Sequence, residues 1–513
     1  MAKHERKIGG TRPFVRRRRR LAVWLAAAAL ATPAIASAAD TPMTSVTDII
    51  GARNYWAAGY TGKGVDIAVI DTGVADVIGL DTGKLMHAPD LSFDSQSATL
   101  YQRDGYGHGT HMASIAAGRD GAEETPSAYL ASTKFLGVAP DARIVNVKAG
   151  DAAGGVDITQ VIAAVDWVVE HRRDPGMNIR VLLLAYGTDT TQPYDSEPLT
   201  DALEQAWKAG ITVVVAAGNS GGTAANTGTI GLLNPARAPF LIAVGAADTK
   251  GTTSSSDDTV AGYSSQGGGT GAYVRDPDVV APGRTILGLR VPGSYVDATY
   301  GAGAVVGGRY FRGSGTSQAA AVVAGAMALV QQQRPAATPN QIKALLKSTS
   351  TPLSGVAAKA QGSGEINLAR ALAGATPAGA QTWQATRGDG SIRDSRGSYI
   401  LTFGGVALNN DNDIFGDYFA PATAASLRRA GTIWVGGQWR GIQLVGDGRA
   451  GALTALGTSV TWTGRSWFGR SWTDFAWTGR SWAGRSWSGD SWAGRGWAST
   501  TWTDQSFAAA GWN

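Results

Sequence analysis

Three side chains of this sequence have the types needed to turn an alcohol into a nucleophile. They are Asp71 in Ile-Asp-Thr-Gly, His108 in Gly-His-Gly-Thr-His and Ser317 in Gly-Thr-Ser. A serine hydroxyl attacks poorly at neutral pH. It needs a base beside it, and the base needs a group that fixes its tautomer. The expected roles are nucleophile for Ser317, general base and then acid for His108, and orienting carboxylate for Asp71. A fourth residue, Asn219 in Ala217-Gly218-Asn219-Ser220-Gly221, offers an amide N–H to a developing oxyanion, together with the backbone N–H of Ser317.

Each segment alone has a plainer reading. Asp-Thr-Gly also marks aspartic peptidases, and it recurs at Asp81-Thr82-Gly83. Two copies so close together do not come easily from two lobes, so Asp81 reads as a turn residue. His108 and His111 have the spacing of a metal pair on a helix, but no nearby carboxylate completes a zinc pattern, and no metal ligand is assigned. Gly-Thr-Ser alone would be a helix cap, and Asn219 alone a turn residue.

The four segments together, in the order Asp, His, Asn, Ser, make the chain resemble the subtilisin-like serine peptidases. Gly137-Val138-Ala139-Pro140, Tyr263-Ser264-Ser265-Gln266-Gly267 and Val280-Ala281-Pro282-Gly283 extend the likeness over about residues 45 to 370. The resemblance implies peptide-bond hydrolysis through an acyl-enzyme, with proteins or peptides as partners. It also implies that Leu184-Ala185-Tyr186-Gly187 lines the primary specificity pocket and takes the substrate as an added strand. Ala216, Ala217 and Gly218 form the opposite wall. Small side chains there leave room for a large apolar group, whereas Tyr186 would narrow the entrance, so specificity stays open. Structural calcium is common in the family, but no segment fixes a site, and no other cofactor is expected. Gln318 stands where the family usually has Met, Ala321 where it has Pro, and Ala185 where it has Ser. Ala321 bears on how the nucleophile's helix packs, and none of the three removes a catalytic group. The rival reading is an idle peptidase fold used as a surface or interaction protein. The intact set of four residues argues against it.

The elements that must position these residues alternate in type. Val65 to Ile70, Arg143 to Lys148, Ile179 to Leu184, Ile211 to Ala217 and Phe240 to Gly245 are continuous apolar runs, as in buried parallel strands. His111 to Ala117, Asp157 to His171 and Pro198 to Ala209 read as helices between them. This alternation predicts an α/β, doubly wound, mostly parallel sheet, with its site at the carboxyl ends of the strands. Gln318 to Val330 is apolar almost all round, which predicts a buried helix with Ser317 at its positive end. The peptidase domain is expected over residues 40 to 372.

The chain ends differ in composition. Arg16 to Arg20, the apolar stretch Leu21 to Leu30 and the small residues Ala36-Ser37-Ala38 predict an export signal over residues 1 to 39, hence a secreted or cell-surface protein. The stretch is short for a membrane span, so no stable transmembrane segment is expected after cleavage. Residues 1 to 38 hold nine Lys or Arg against Glu5, so the +5 net charge of the chain becomes −3 without them, and nucleic acid is not an expected partner. With no cysteine, neither a disulfide nor a thiol nucleophile is available. About 26 residues separate the cleavage site from Val65, too few for a folded propeptide, so folding without one is expected. Residues 373 to 461 read as a Gly/Ala-rich linker or small β-rich region. Over residues 462 to 513 tryptophan recurs every five residues from Trp462 to Trp502, typically as Trp-x-Gly-Arg-Ser. This tail resembles extensions of some secreted actinobacterial subtilases, and Trp beside Arg suits contact with cell wall or polysaccharide.

Overall fold

The computed structural model describes residues 39 to 445, apart from 98, 222–230, 269–274, 399, 404–405, 415–417, 436–437 and 441. Beyond 445 it describes only the backbone of five strands between 452 and 486. The export signal, save Ala39, and nearly all of the Trp-repeat tail therefore lie outside the described residues.

Eight strands form the central sheet: β1 (Asp66–Asp71), β2 (Leu85–Asp90), β3 (Arg143–Lys148), β4 (Ile179–Leu184), β5 (Thr212–Ala216), β6 (Ile242–Asp248), β7 (Thr259–Val260) and β8 (Val279–Pro282). Their order is β2-β3-β1-β4-β5-β6-β7, with β8 also paired to β6. All pairs are parallel except β6 with β7. Every residue of β1 and β5 is buried, as their unbroken apolar runs require.

The connections explain where the site must lie. The chain leaves β1 for the edge strand β2 and then passes through helix α1 (His108–Ala117) to β3, which lies between β2 and β1. It leaves β3 through helix α2 (Ile158–His171) and crosses to β4 on the other side of β1. The connection leaving β1 heads to one side and those leaving β3 and β4 head to the other, and such a switch of direction leaves a crevice at the carboxyl end of β1. Helix α3 (Pro198–Lys208) joins β4 to β5 in the same direction as α2 and packs beside it. Helix α4 (Thr316–Gln333) packs against α1 and across β1, β4, β5, β6 and β8. All but its last two residues are buried, which accounts for its apolarity on every side. Gly325 lets it approach α1, since a β-carbon there would meet the Ala116 carbonyl oxygen.

Past helix Leu368–Ala373, the chain lies along α2 and α3 and adds helices α5 (Ile392–Ser395) and α6 (Pro421–Arg429). Four acids of α2, α3 and the α2 cap find partners in this segment. Arg396 donates through Nε to Asp157 at 2.6 Å, and Arg428 through Nε to Asp166 at 2.6 Å and through Nη1 to Asp201 at 3.1 Å. Trp439 donates to Asp166 at 2.8 Å and Trp383 to Glu204 at 2.6 Å. Asp157, Asp166, Asp201, Arg396 and Arg428 are all buried. Burial raises the Asp166 carboxyl, and the Arg428 guanidinium opposes that rise. Among the described residues, no helix is long and apolar enough to cross a membrane.

Removing one partner of a buried ion pair strands the other without water, at a cost of about 3–5 kcal/mol. Arg428→Met should lower the unfolding free energy by about that much in a urea titration. Arg429 also reaches Asp201, at 2.6 Å, but its side chain is 42% exposed. Arg429→Ala should cost no more than about 1 kcal/mol, as for exposed pairs.

Candidate active site

The site is built where β1 ends. Asp71 is its last residue, and both carboxylate oxygens face His108 Nδ1, at 2.8 and 2.9 Å. Asp71, His108 and Ser317 are fully buried, and Asn219 is nearly so. The bond therefore acts in a low-dielectric setting, where it is stronger than in water.

The words around Asp71 and His108 are the fittings of this contact. His108 opens α1, and Gly107 before it has φ +103°, a conformation other residues rarely adopt. Gly109 must lack a side chain, because a β-carbon there would land on the Gly73 carbonyl oxygen and lie 3.0 Å from Asp71 Cβ. Thr72 Oγ1 accepts from Gly109 N–H at 3.0 Å and donates to Asp104 Oδ1 at 2.8 Å. Asp104 also accepts from Gly107 N–H at 2.6 Å and Thr110 N–H at 2.8 Å, so it caps the helix that carries His108. Burial raises its carboxyl, against the pull of these N–H groups. Sequence reading missed Asp104; the available signal was an acid just before a helix start.

Ser317 is the second residue of α4, where backbone N–H groups lack intrahelical partners. Its Oγ has no hydrogen-bond partner among the described residues. Asn219, three residues beyond β5, is tied to the same helix end. Its Oδ1 accepts from Thr316 N–H at 2.9 Å and Thr316 Oγ1 at 3.1 Å, which makes Nδ2 the remaining, donor end of the amide. Thr316 Oγ1 also accepts from Gly218 N–H at 3.1 Å. The other words that carry the resemblance serve this end too: Ser265 N–H donates to Gly218 O at 2.9 Å, and Gly315 N–H and Tyr263 OH both donate to Gly283 O at 2.8 Å. Gln318 is wholly buried, and neither end of its amide has a hydrogen-bond partner among the described residues.

Ala185 and Tyr186 are buried, and Gly187 follows them at the carboxyl end of β4. Ala216 and Ala217 are buried at the end of β5, before Gly218. Leu233 was not singled out in the sequence, yet it lies between these two walls. A β-carbon on Gly187 would be 3.1 Å from Leu233 Cβ, and one on Gly218 would be 2.7 Å from Leu233 Cγ. Its backbone N–H donates to Ala217 O at 3.0 Å. Leu233 therefore lies beside both Gly187 and Gly218.

His111 is buried one helical turn from His108. Burial first, and the charge of His108 second, push it down to about 3, so it stays neutral at ordinary pH. Asp81 is exposed in a turn, with its carboxylate accepting from Gly79 N–H at 3.1 Å. Among the described residues, no three His, Asp or Glu side chains are grouped to hold a metal ion. One buried carboxylate, Asp278, is instead met by Arg275, Lys343 and Lys347, which hold it down at about 2 against burial.

The profile of the subtilase family matches residues 62–368. Serine protease AprX of Bacillus subtilis (strain 168) is 36% identical over 319 residues, 61% of this chain and 67% of that protein. Subtilisin DY of Bacillus licheniformis is 31% identical over 305 residues, 60% of this chain and 90% of that protein. Subtilisin E of Bacillus subtilis (strain 168) is 34% identical over 301 residues, 58% of this chain and 62% of that protein. The chain belongs to the subtilase family and is a serine-type endopeptidase.

Proposed function

We propose that the chain is a secreted endopeptidase that cleaves peptide bonds with Asp71, His108 and Ser317, and with Asn219 as oxyanion donor. The observation that carries this reading is the Asp71 carboxylate on His108 Nδ1, at 2.8 and 2.9 Å, together with the Asn219 amide bonded to the residue before Ser317. The Asp71 bond fixes the proton on Nδ1, which leaves Nε2 as the base. Nε2 takes the Ser317 hydroxyl proton while Oγ bonds the scissile carbonyl carbon. The oxyanion that forms accepts from Asn219 Nδ2–H and Ser317 N–H. His108 then gives its proton to the leaving amine as the C–N bond breaks, and water repeats the sequence on the ester. The absence of a hydrogen bond at Ser317 Oγ is the observation that would favour an idle fold. Resting catalytic bonds are often long, however, and tighten with substrate bound.

Leu233 sets the expected substrate preference. With its side chain between Gly187 and Gly218, the pocket suits small or medium apolar groups at the residue whose carbonyl is attacked. The tail's Trp and Arg repeat supports a second proposal, retention at a cell wall or polysaccharide after export.

Four measurements test these readings. A fluorophosphonate probe should label the wild type and not Ser317→Ala, and Asn219→Ala should lower kcat by about 10²–10³, the loss known for the oxyanion donor of subtilisin. No labelling of folded wild type would favour the idle fold. Leu233→Gly should raise kcat/KM for a Phe substrate relative to its Ala counterpart by about tenfold or more. An unchanged ratio would remove Leu233 from the pocket. Truncation after Thr461 should move the enzyme from the wall fraction into the medium, and unchanged fractionation would end the tail proposal.

A further inference from the structure

The loops after β3 and β4 flank Asp71, because β1 lies between those strands. The first loop starts on the site: Ala149 and Gly150 N–H donate to Asp71 O at 2.9 and 3.1 Å. It ends on Asp157, the cap of α2, which accepts from Thr159 N–H at 3.0 Å. The second loop starts with Ala185, Tyr186 and Gly187 and runs on through Thr188, Asp189 and Thr190. Thr188 exchanges backbone bonds with Asn234, at 2.8 and 3.0 Å, which secures one side of it.

The C-terminal segment secures the other side, and it grips both loops at once. Thr188 Oγ1 donates to Ser395 O at 2.8 Å. Asp189 accepts from Ser398 N–H and from Ser398 Oγ, both at 2.7 Å. Gln192 Nε2 donates to Ser391 O at 2.7 Å and Ser395 Oγ at 2.9 Å. Gly397, at φ +60°, approaches so closely that a β-carbon would collide with Asp189 Oδ1. Between these contacts, Arg396 reaches the first loop, donating to Asp157 at 2.6 and 3.3 Å. Its remaining donors go to Asn410 O and Asn412 O, both at 2.6 Å, so the guanidinium is itself held in place. This segment lies beyond residue 368, where the family match ends.

We propose that residues 391 to 398 are a brace that positions the substrate-binding edge, with Ser395, Arg396 and Ser398 as positioning residues for extended peptides. This rests on the reading of Ala185 to Gly187 as the strand that receives substrate. A peptide adding as a strand gains its bonds only if the receiving backbone is held in register. The brace supplies that hold from the side away from Asn234. A substrate with only the attacked residue forms no strand bonds there and meets the segment only through the pocket wall, so it depends on the brace far less.

The test compares two anilides that share the attacked residue, one a single acylated residue and the other a tetrapeptide. The wild type should prefer the tetrapeptide. A wild type without that preference would overturn the strand reading, and the brace with it. Given the preference, Asp189→Asn and Arg396→Lys should each lower kcat/KM for the tetrapeptide about tenfold, mainly through KM. The single-residue anilide should change less than twofold. Ser398→Ala, which loses one hydroxyl at an exposed position, should fold with an unchanged melting temperature and show a smaller loss in the same sense. Equal losses on both substrates would mark general damage, and no loss on either would mark a bystander. Both outcomes would overturn the brace while leaving the strand reading intact.

Discussion

Everything in this molecule is arranged around a carboxylate that ends a buried strand and grips an imidazole that begins a helix. That contact demands that α1 approach the end of β1 more closely than ordinary side chains allow. Gly109 supplies the space, Gly107 the turn into the helix, and Thr72 with Asp104 the hydrogen bonds that close the junction. The sheet contributes the location. Because the chain leaves β1 for β2 on one side and later crosses from β3 to β4 on the other, its connections part beside Asp71. The helix that carries Ser317 is then brought in from a segment more than 200 residues later, and Thr316 and Asn219 lock its first turn to the end of β5.

Much of this was legible in the sequence because it rests on local rules. Strands buried on both faces, such as Ile67 to Ile70, must be continuously apolar, and a helix buried all round must look like Gln318 to Val330. Glycines and small hydroxyl residues stand where backbones cross or helices begin, so the words around Asp71, His108 and Ser317 are dense in them. What escaped was set by contacts distant in sequence. Leu233 is an unremarkable leucine until β4 and β5 bring Gly187 and Gly218 to its two sides. Strand β2 carries His87, Pro89 and Asp90 and lies at the sheet's edge, so its pattern is not the apolar run of the interior. The start of α1 was placed at His111, three residues late, because the glycine-rich word hides the true cap.

The segment after residue 373 is the clearest case of long-range logic. Its Gly- and Ala-rich composition suggested a linker or a small β-rich region. Its function in the fold depends instead on a few isolated residues, Trp383, Arg396, Arg428 and Trp439, each meeting an acid on α2, α3 or the α2 cap. Nothing periodic announces them. One acid was the readable hint: Asp166 interrupts the apolar run Val161 to Val169, and a buried carboxylate requires a partner from somewhere.

A crystal structure of the enzyme carrying a phosphonyl group is the most direct examination of the account. Phosphorus should be bonded to Ser317 Oγ, with the phosphonyl oxygen about 2.7–3.1 Å from both Asn219 Nδ2 and Ser317 N, and His108 still held by Asp71. A phosphonyl group on any other residue, or an oxygen turned away from Asn219 with His108 released from Asp71, would contradict it.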